Sequence, residues 1–213
     1  IVTLNLEHLE NAQKSLDFTN DLRKADWIIA DGISVVLLAK NIYKGSDFAK
    51  KIYKIPGIDL AQKLISRSKK IAFLGSNQKN IQKIAEKFSE KKVFAHHGYF
   101  LEQEEEKIIE EIKNSGADLL LVAMGCPKQE KFLAKHAKTL ASITKIGVGG
   151  SFDIWSGELK RAPKIIQNLN LEWLFRIFQE PFRIFRIISK VHSFVLFFMS
   201  SLFDEGLKSN IDG

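Results

Sequence analysis

Ile71-Ala72-Phe73-Leu74-Gly75-Ser76-Asn77 decides the fold. Four apolar residues run into a glycine and two small polar residues, and a helix-like stretch, 78–91, follows directly. A short continuous apolar run reads as a strand buried on both faces, and the Gly-containing turn delivers the chain into a helix. The same unit recurs outward from it. Upstream, Trp27-Ile28-Ile29-Ala30 ends at Asp31-Gly32; downstream, Leu119-Leu120-Leu121-Val122-Ala123 ends at Gly125, and 143–148 ends at Gly149-Gly150. Helix-like stretches at 9–24, 58–69, 101–114 and 128–139 lie between them. Strand, turn and helix in repetition predict an α/β fold: an open, mostly parallel sheet with helices on both faces. Ligands of such sheets bind beyond the carboxyl ends of the strands, which puts Asp31, Ser76, Asn77, Gln129 and Asp153 on one rim.

From Leu171 the pattern changes. Trp, Phe, Ile and Arg dominate 171–203, Pro181 divides the stretch into at least two helices, and eight of the 16 Phe fall between Phe175 and Phe203. Much of the formal charge of +7 sits between Lys160 and Lys190, in Lys160, Arg161, Lys164, Arg176, Arg183, Arg186 and Lys190. A basic excess suits nucleic acid, anionic lipid or phosphorylated substrates. Arg interleaved with Phe favours a membrane surface over a nucleic-acid groove. Residues 191–203 carry no Lys, Arg, Asp or Glu, yet a span needs about 20 residues, so an interfacial amphipathic segment is expected. The alternative is a helix that packs on the sheet or on another subunit, and exposed apolar surface there suits self-association. The expected organisation is a catalytic domain over 1–168 and a C-terminal helical, membrane-docking appendage over 169–213.

The length of 213 residues and a hydrophobic share of 45% suit one ordinary core. The chain opens at Ile1 in an apolar run, the pattern of a trimmed chain lacking an upstream strand, and no signal peptide is visible. A single Cys126 forms no internal disulfide and points to a reducing compartment.

Three constellations could carry chemistry. Asp31 stands at a strand tip held by a Gly turn: either a carboxylate poised at the ligand rim or ordinary Asp-Gly turn chemistry. Gly125-Cys126-Pro127-Lys128-Gln129-Glu130 opens a helix whose first N–H groups favour anions. There Gln129 offers a donor and an acceptor to a sugar, and Cys126 reads as a small packing residue. Gly147-Val148-Gly149-Gly150-Ser151-Phe152-Asp153 lets a ligand approach the backbone and places an acid near ribose hydroxyls, without being a dinucleotide fingerprint. Tyr99 could stack on a base or pack in the core. The sequence has no Asp-x-Asp, P-loop, Gly-x-Ser-x-Gly or zinc-spaced cluster, and His96-His97 reads as structural. If a nucleoside diphosphate leaves without metal, cationic side chains must take its charge.

Together these pieces resemble the WecG/TagA/CpsF family of bacterial transferases of N-acetylmannosaminuronic acid or N-acetylmannosamine. The likeness shows in Thr3-Leu4-Asn5, Ala25-Asp26 through Asp31-Gly32, Gly57-Ile58-Asp59-Leu60 and Gly125 through Glu130. It continues in Val148-Gly149-Gly150 with Asp153, Gly157 with Arg161-Ala162-Pro163, and Leu171-Glu172-Trp173 with Arg176, Glu180-Pro181 and Arg183. The resemblance implies a Rossmann-like fold and an inverting transfer, without metal or other cofactor, from a UDP-sugar to a polyprenyl-diphosphate-linked N-acetylglucosamine. It implies Asp31 as the general base, with Thr3, Asn5 and Gln129 lining the sugar pocket. It implies Tyr99, Gly149 and Asp153 around the uridine and Arg176, Arg183 and Arg186 at the diphosphates, with Gly150 and Arg161 as further substrate-binding residues. The family's usual arginine three positions before Gly57 is Lys54 here, a charge without a bidentate fork. The implied location is cytoplasmic, peripheral on the inner face of the cell membrane. Rival readings are a different UDP-hexose or uronic acid donor, or a basic domain that binds nucleotides or nucleic acid without chemistry. No nucleic-acid partner is expected on the leading reading.

Overall fold

The computed structural model describes residues 1–91, 93–182 and 184. Its main sheet holds β3 (Ile71–Gly75), β4 (Phe94–His96), β5 (Leu119–Ala123) and β6 (Thr144–Gly147), all parallel, in the order β4-β3-β5-β6. Every residue of β3 and β5 is buried, as expected of central strands covered on both faces. Alternation along the strands sorts the core. Ile71, Phe73, Leu119 and Leu121 join Ala61 and Ile65 of α5 (Gly57–Arg67), Ile81 and Ile84 of α6 (Gln78–Lys87), and Phe152 and Trp155 of α9 (Ser151–Trp155). Ala72, Leu74, Leu120 and Val122 point the other way, to Ile108, Ile109 and Ile112 of α7 (Glu102–Asn114) and Phe132 of α8 (Lys128–Lys135). The expected parallel sheet with helices on both faces is thus what this part of the chain forms.

Other expectations are corrected. The apolar run at 27–30 does not join the buried sheet. Only Ile28–Ala30 forms a strand, β2, and it pairs with β1 (Val2–Leu4) in a separate two-stranded sheet. A strand with one neighbour lacks the cover of a central strand, and Trp27 is 70% exposed. The helix expected over 9–24 is two: α1 (Leu6–Lys14) and α2 (Leu16–Arg23). Ser15 divides them because its hydroxyl accepts the Phe18 N–H and caps the second. Two helices between β2 and β3 were not anticipated, α3 (Ile33–Ile42) and α4 (Asp47–Lys51). After α10 (Lys164–Asn168), α11 (Glu172–Gln179) stops just before Glu180-Pro181, where a following proline disfavours helical backbone.

The chain divides into two compact units, and it passes between them several times. The first comprises Ile1–Thr3, Ser15–Ile29 and Pro56–Lys160 and contains the four-stranded sheet. The second comprises Leu4–Lys14, Ala30–Ile55 and the described chain from Arg161.

Candidate functional site

In the first unit the strand order reverses direction beside β3. The chain goes from β3 out to β4 on one side, then returns to β5 on the other. That switch point is where open parallel sheets leave a crevice for ligands. Its edge is built from backbone. Ser76, in the left-handed region at φ 58°, donates its N–H to Ala123 C=O at 3.0 Å, and its own carbonyl accepts from Gly98 N–H at 2.9 Å. The tips of β3, β4 and β5 are thereby tied together. Gly75 is required there: at φ 141°, a Cβ on it would stand 2.3 Å from the Ala123 oxygen. Asn77 caps α6 by accepting the Asn80 N–H at 2.9 Å. Asn80, buried, donates to Ser76 Oγ and to Glu158. These roles of Ser76, Asn80 and Glu158 were not read from the sequence; only the rim position of Ser76 was.

Thr3, Gln129 and Gly149 come together at the far side of β5. Thr3, buried, donates its hydroxyl to Gly147 C=O at 3.0 Å across 144 positions of sequence. Gln129, 3% exposed, accepts Gly149 N–H at 3.3 Å through Oε1 and donates from Nε2 to Glu130 at 2.6 Å. Gly147 makes room for it, since a Cβ there would sit 2.8 Å from Gln129 Nε2. The amide that was expected to face a sugar holds the Gly149-Gly150 turn. Helix α8 begins at Lys128, as expected, with Pro127 as its cap, and ends at Lys135, short of the expected 139. Asp153 lies in the first turn of α9, half-buried, immediately after that turn.

Tyr99 sits beyond the other edge. Its ring is 76% exposed, which excludes the core-packing alternative. Lys128 fixes the residues on either side of it, donating to Gly98 C=O at 3.2 Å and standing 5.3 Å from the Phe100 ring centre. Strands lie about 4.8 Å apart, so β4 and β6 are separated by about 14 Å. A ligand touching both Tyr99 and Asp153 would cross the tips of β3 and β5.

The second unit gathers a different set. Asp31 follows β2 directly, and its N–H donates to Leu4 C=O at 2.9 Å. Asn5 is therefore its neighbour, and its Cβ lies 3.9 Å from where a Cβ on Gly32 would be. Asn5 Oδ1 accepts Glu7 N–H at 2.9 Å and lies 2.9 Å from His8 Nδ1. Ile55 N–H donates to Ala30 C=O at 2.8 Å, which brings Lys54 alongside the same strand tip. Lys54 lies 3.5 Å from Glu172 at the start of α11. Further along that helix Arg176 Nε donates to Glu180 at 2.9 Å, with both side chains partly buried. Arg161, half-buried, also belongs to this unit. Arg183 and Arg186 lie outside the described residues. Sequence reading missed Glu172 and Glu180 as partners of the cations; the four-residue spacing of Arg176 and Glu180 was available as a signal for the second, whereas Lys54 and Glu172 stand 118 positions apart.

A carboxylate at a strand tip can accept a proton, and Lys and Arg side chains, here paired with Glu172 and Glu180, are of the kind that can meet a phosphate. The family model described as "Glycosyl transferase WecG/TagA/CpsF family" matches residues 1–208.

Proposed function

The chain belongs to the WecG/TagA/CpsF glycosyltransferase family, whose members act in cell-surface polysaccharide synthesis, and we propose that it moves N-acetylmannosamine, or a closely related sugar, from a UDP-sugar to a polyprenyl-diphosphate-linked N-acetylglucosamine. The observation that carries this reading is the company of Asp31 in the second unit: a strand-tip carboxylate with Asn5 beside it and Lys54 alongside the same strand tip.

Asp31 takes the proton of the acceptor hydroxyl. That oxygen attacks C1 of the donor sugar from the face opposite the UDP. The bond from C1 to the phosphate oxygen breaks, its electron pair leaves with UDP, and the anomeric configuration inverts. Negative charge grows on the departing diphosphate, and Lys54, Arg161, Arg176, Arg183 and Arg186 neutralise it in place of a metal. Arg176 exchanges Glu180 for a phosphate oxygen. Lys54 supplies a point charge where the family usually has a guanidinium. In the first unit, Tyr99 stacks on uracil and Gly149, Gly150 and Asp153 hold the ribose. In the first unit Thr3 and Gln129 shape a sugar-binding edge through the Gly147 and Gly149 backbone, and in the second unit Asn5 offers its amide beside Asp31.

Functionally we place the catalytic domain in 1–168 and an appendage in 169–213 that meets the inner face of the cytoplasmic membrane. No described helix is long and apolar enough to cross a membrane. The appendage's exposed apolar residues also suit a homo-oligomer.

The test is a panel of UDP-sugars assayed for UDP release with and without the lipid-linked acceptor, in a chelator, with product mass measured. UDP release that needs the acceptor, survives chelation and adds one N-acetylhexosamine is expected. Absence of release from every donor, or its loss on chelation, contradicts the proposal.

A further inference from the structure

The corner joining α3 to α4 presents a surface that the roles above leave unused. Val35, Val36 and Leu38 bury one side of α3, while Leu37 and Lys40 face outward. Beyond them Tyr43, Phe48 and Tyr53 are exposed, Phe48 to 57%. Lysines 44, 50 and 51 are exposed among these rings, and Asp47 is the segment's single acid, paired with Lys50 at 2.9 Å.

The corner is shaped rather than loose. Tyr43 and Phe48 pack edge to face with centres 5.0 Å apart. Ser46 Oγ donates to Tyr43 C=O at 2.6 Å and accepts Ala49 N–H at 3.2 Å. Fixed, outward rings among lysines are costly to leave in water without a partner.

We propose that this α3–α4 corner docks on an anionic lipid bilayer, its rings entering the headgroup layer and its lysines meeting lipid phosphates. Charge selects the occupant. A second copy docked face to face would set lysine against lysine, whereas an anionic surface complements the whole corner. The inference rests on the reading that the acceptor is carried in a membrane, and it adds a contact outside the C-terminal appendage.

The experiment uses the full chain carrying Cys126→Ser and Phe48→Cys, labelled at position 48 with an environment-sensitive fluorophore. On phosphatidylglycerol vesicles the emission should shift to the blue and strengthen, salt should reverse this, and phosphatidylcholine vesicles should have no effect. Lys44→Glu, Lys50→Glu and Lys51→Glu combined should weaken vesicle binding by at least about tenfold. In the unsubstituted chain, amides of 37–53 should gain protection from hydrogen exchange on the same vesicles, a readout independent of any folding defect in the variants. Binding to vesicles with position 48 still in water and 37–53 unprotected refutes the corner while leaving the lipid-linked acceptor standing. A blue shift without vesicles also refutes it: growth with protein concentration would identify a second copy, and independence of concentration the chain's own C-terminal stretch.

Discussion

In the first unit, polar side chains near the strand tips are engaged with backbone. Thr3 holds Gly147, Gln129 holds Gly149, and Asn77 caps α6. In the second, the notable polar contacts are between opposite charges, Lys54 with Glu172 and Arg176 with Glu180. The first arrangement makes an edge of glycines and main-chain groups held by buried side chains. The second pairs its cations with acids that stay partly exposed, and on the proposed reading a diphosphate displaces those acids. One unit offers shape and the other offers exchangeable charge.

Breaking the second arrangement should have the larger effect. Arg176→Ala should lower kcat by about 10²-fold, the scale of one lost transition-state donor. Glu180→Gln should leave kcat within a few-fold of the parent. Equal loss in both would mean that the pair only secures the helix. For the first unit, Gln129→Leu strips Gly149 N–H of its acceptor and Glu130 of a donor in a buried place, so about 1–3 kcal/mol of stability should go. The KM for the UDP-sugar should rise with it, as the Gly149 turn loosens. A melting shift with unchanged KM would make Gln129 purely structural.

The smallest effect lies away from both sites. Burial pushes the Glu105 carboxyl up, but hydrogen bonds from Lys135 and His136, with their charges, outweigh it and hold it below its ordinary value. A depressed carboxyl contributes stability above its unfolded pKa and loses it as pH falls through the folded one. Glu105→Gln should therefore cost about a degree or two of melting temperature at neutral pH and progressively less as pH falls through the lowered carboxyl value, with turnover unchanged. A loss that persisted in acid would assign the effect to packing.

Sequence reading served the two units unequally. β3 and β5 were legible because a parallel strand covered on both faces is apolar without interruption, and the turns after them carried visible glycines. β2 misled, since Ile28-Ile29-Ala30 looks equally apolar whether or not helices cover it. Ser15 as a cap in the middle of an amphipathic stretch was readable in principle, yet periodicity outweighed it. The place of Asp31 directly after a strand, and of Gln129 in the first turn of a helix after one, followed from the pattern. Their partners did not, because contacts like Thr3 with Gly147 span 144 positions and depend on the fold having formed.

The proposed chemistry turns on the Asp31 carboxylate, and Asp31→Asn tests it most directly, since the amide keeps the shape and removes the base. Turnover with a UDP-sugar and the lipid-linked acceptor should fall by roughly 10²-fold or more, while UDP affinity by calorimetry and the melting temperature stay near those of the parent chain. Turnover close to the parent's, with binding intact, would contradict Asp31 as the base and with it the mechanism.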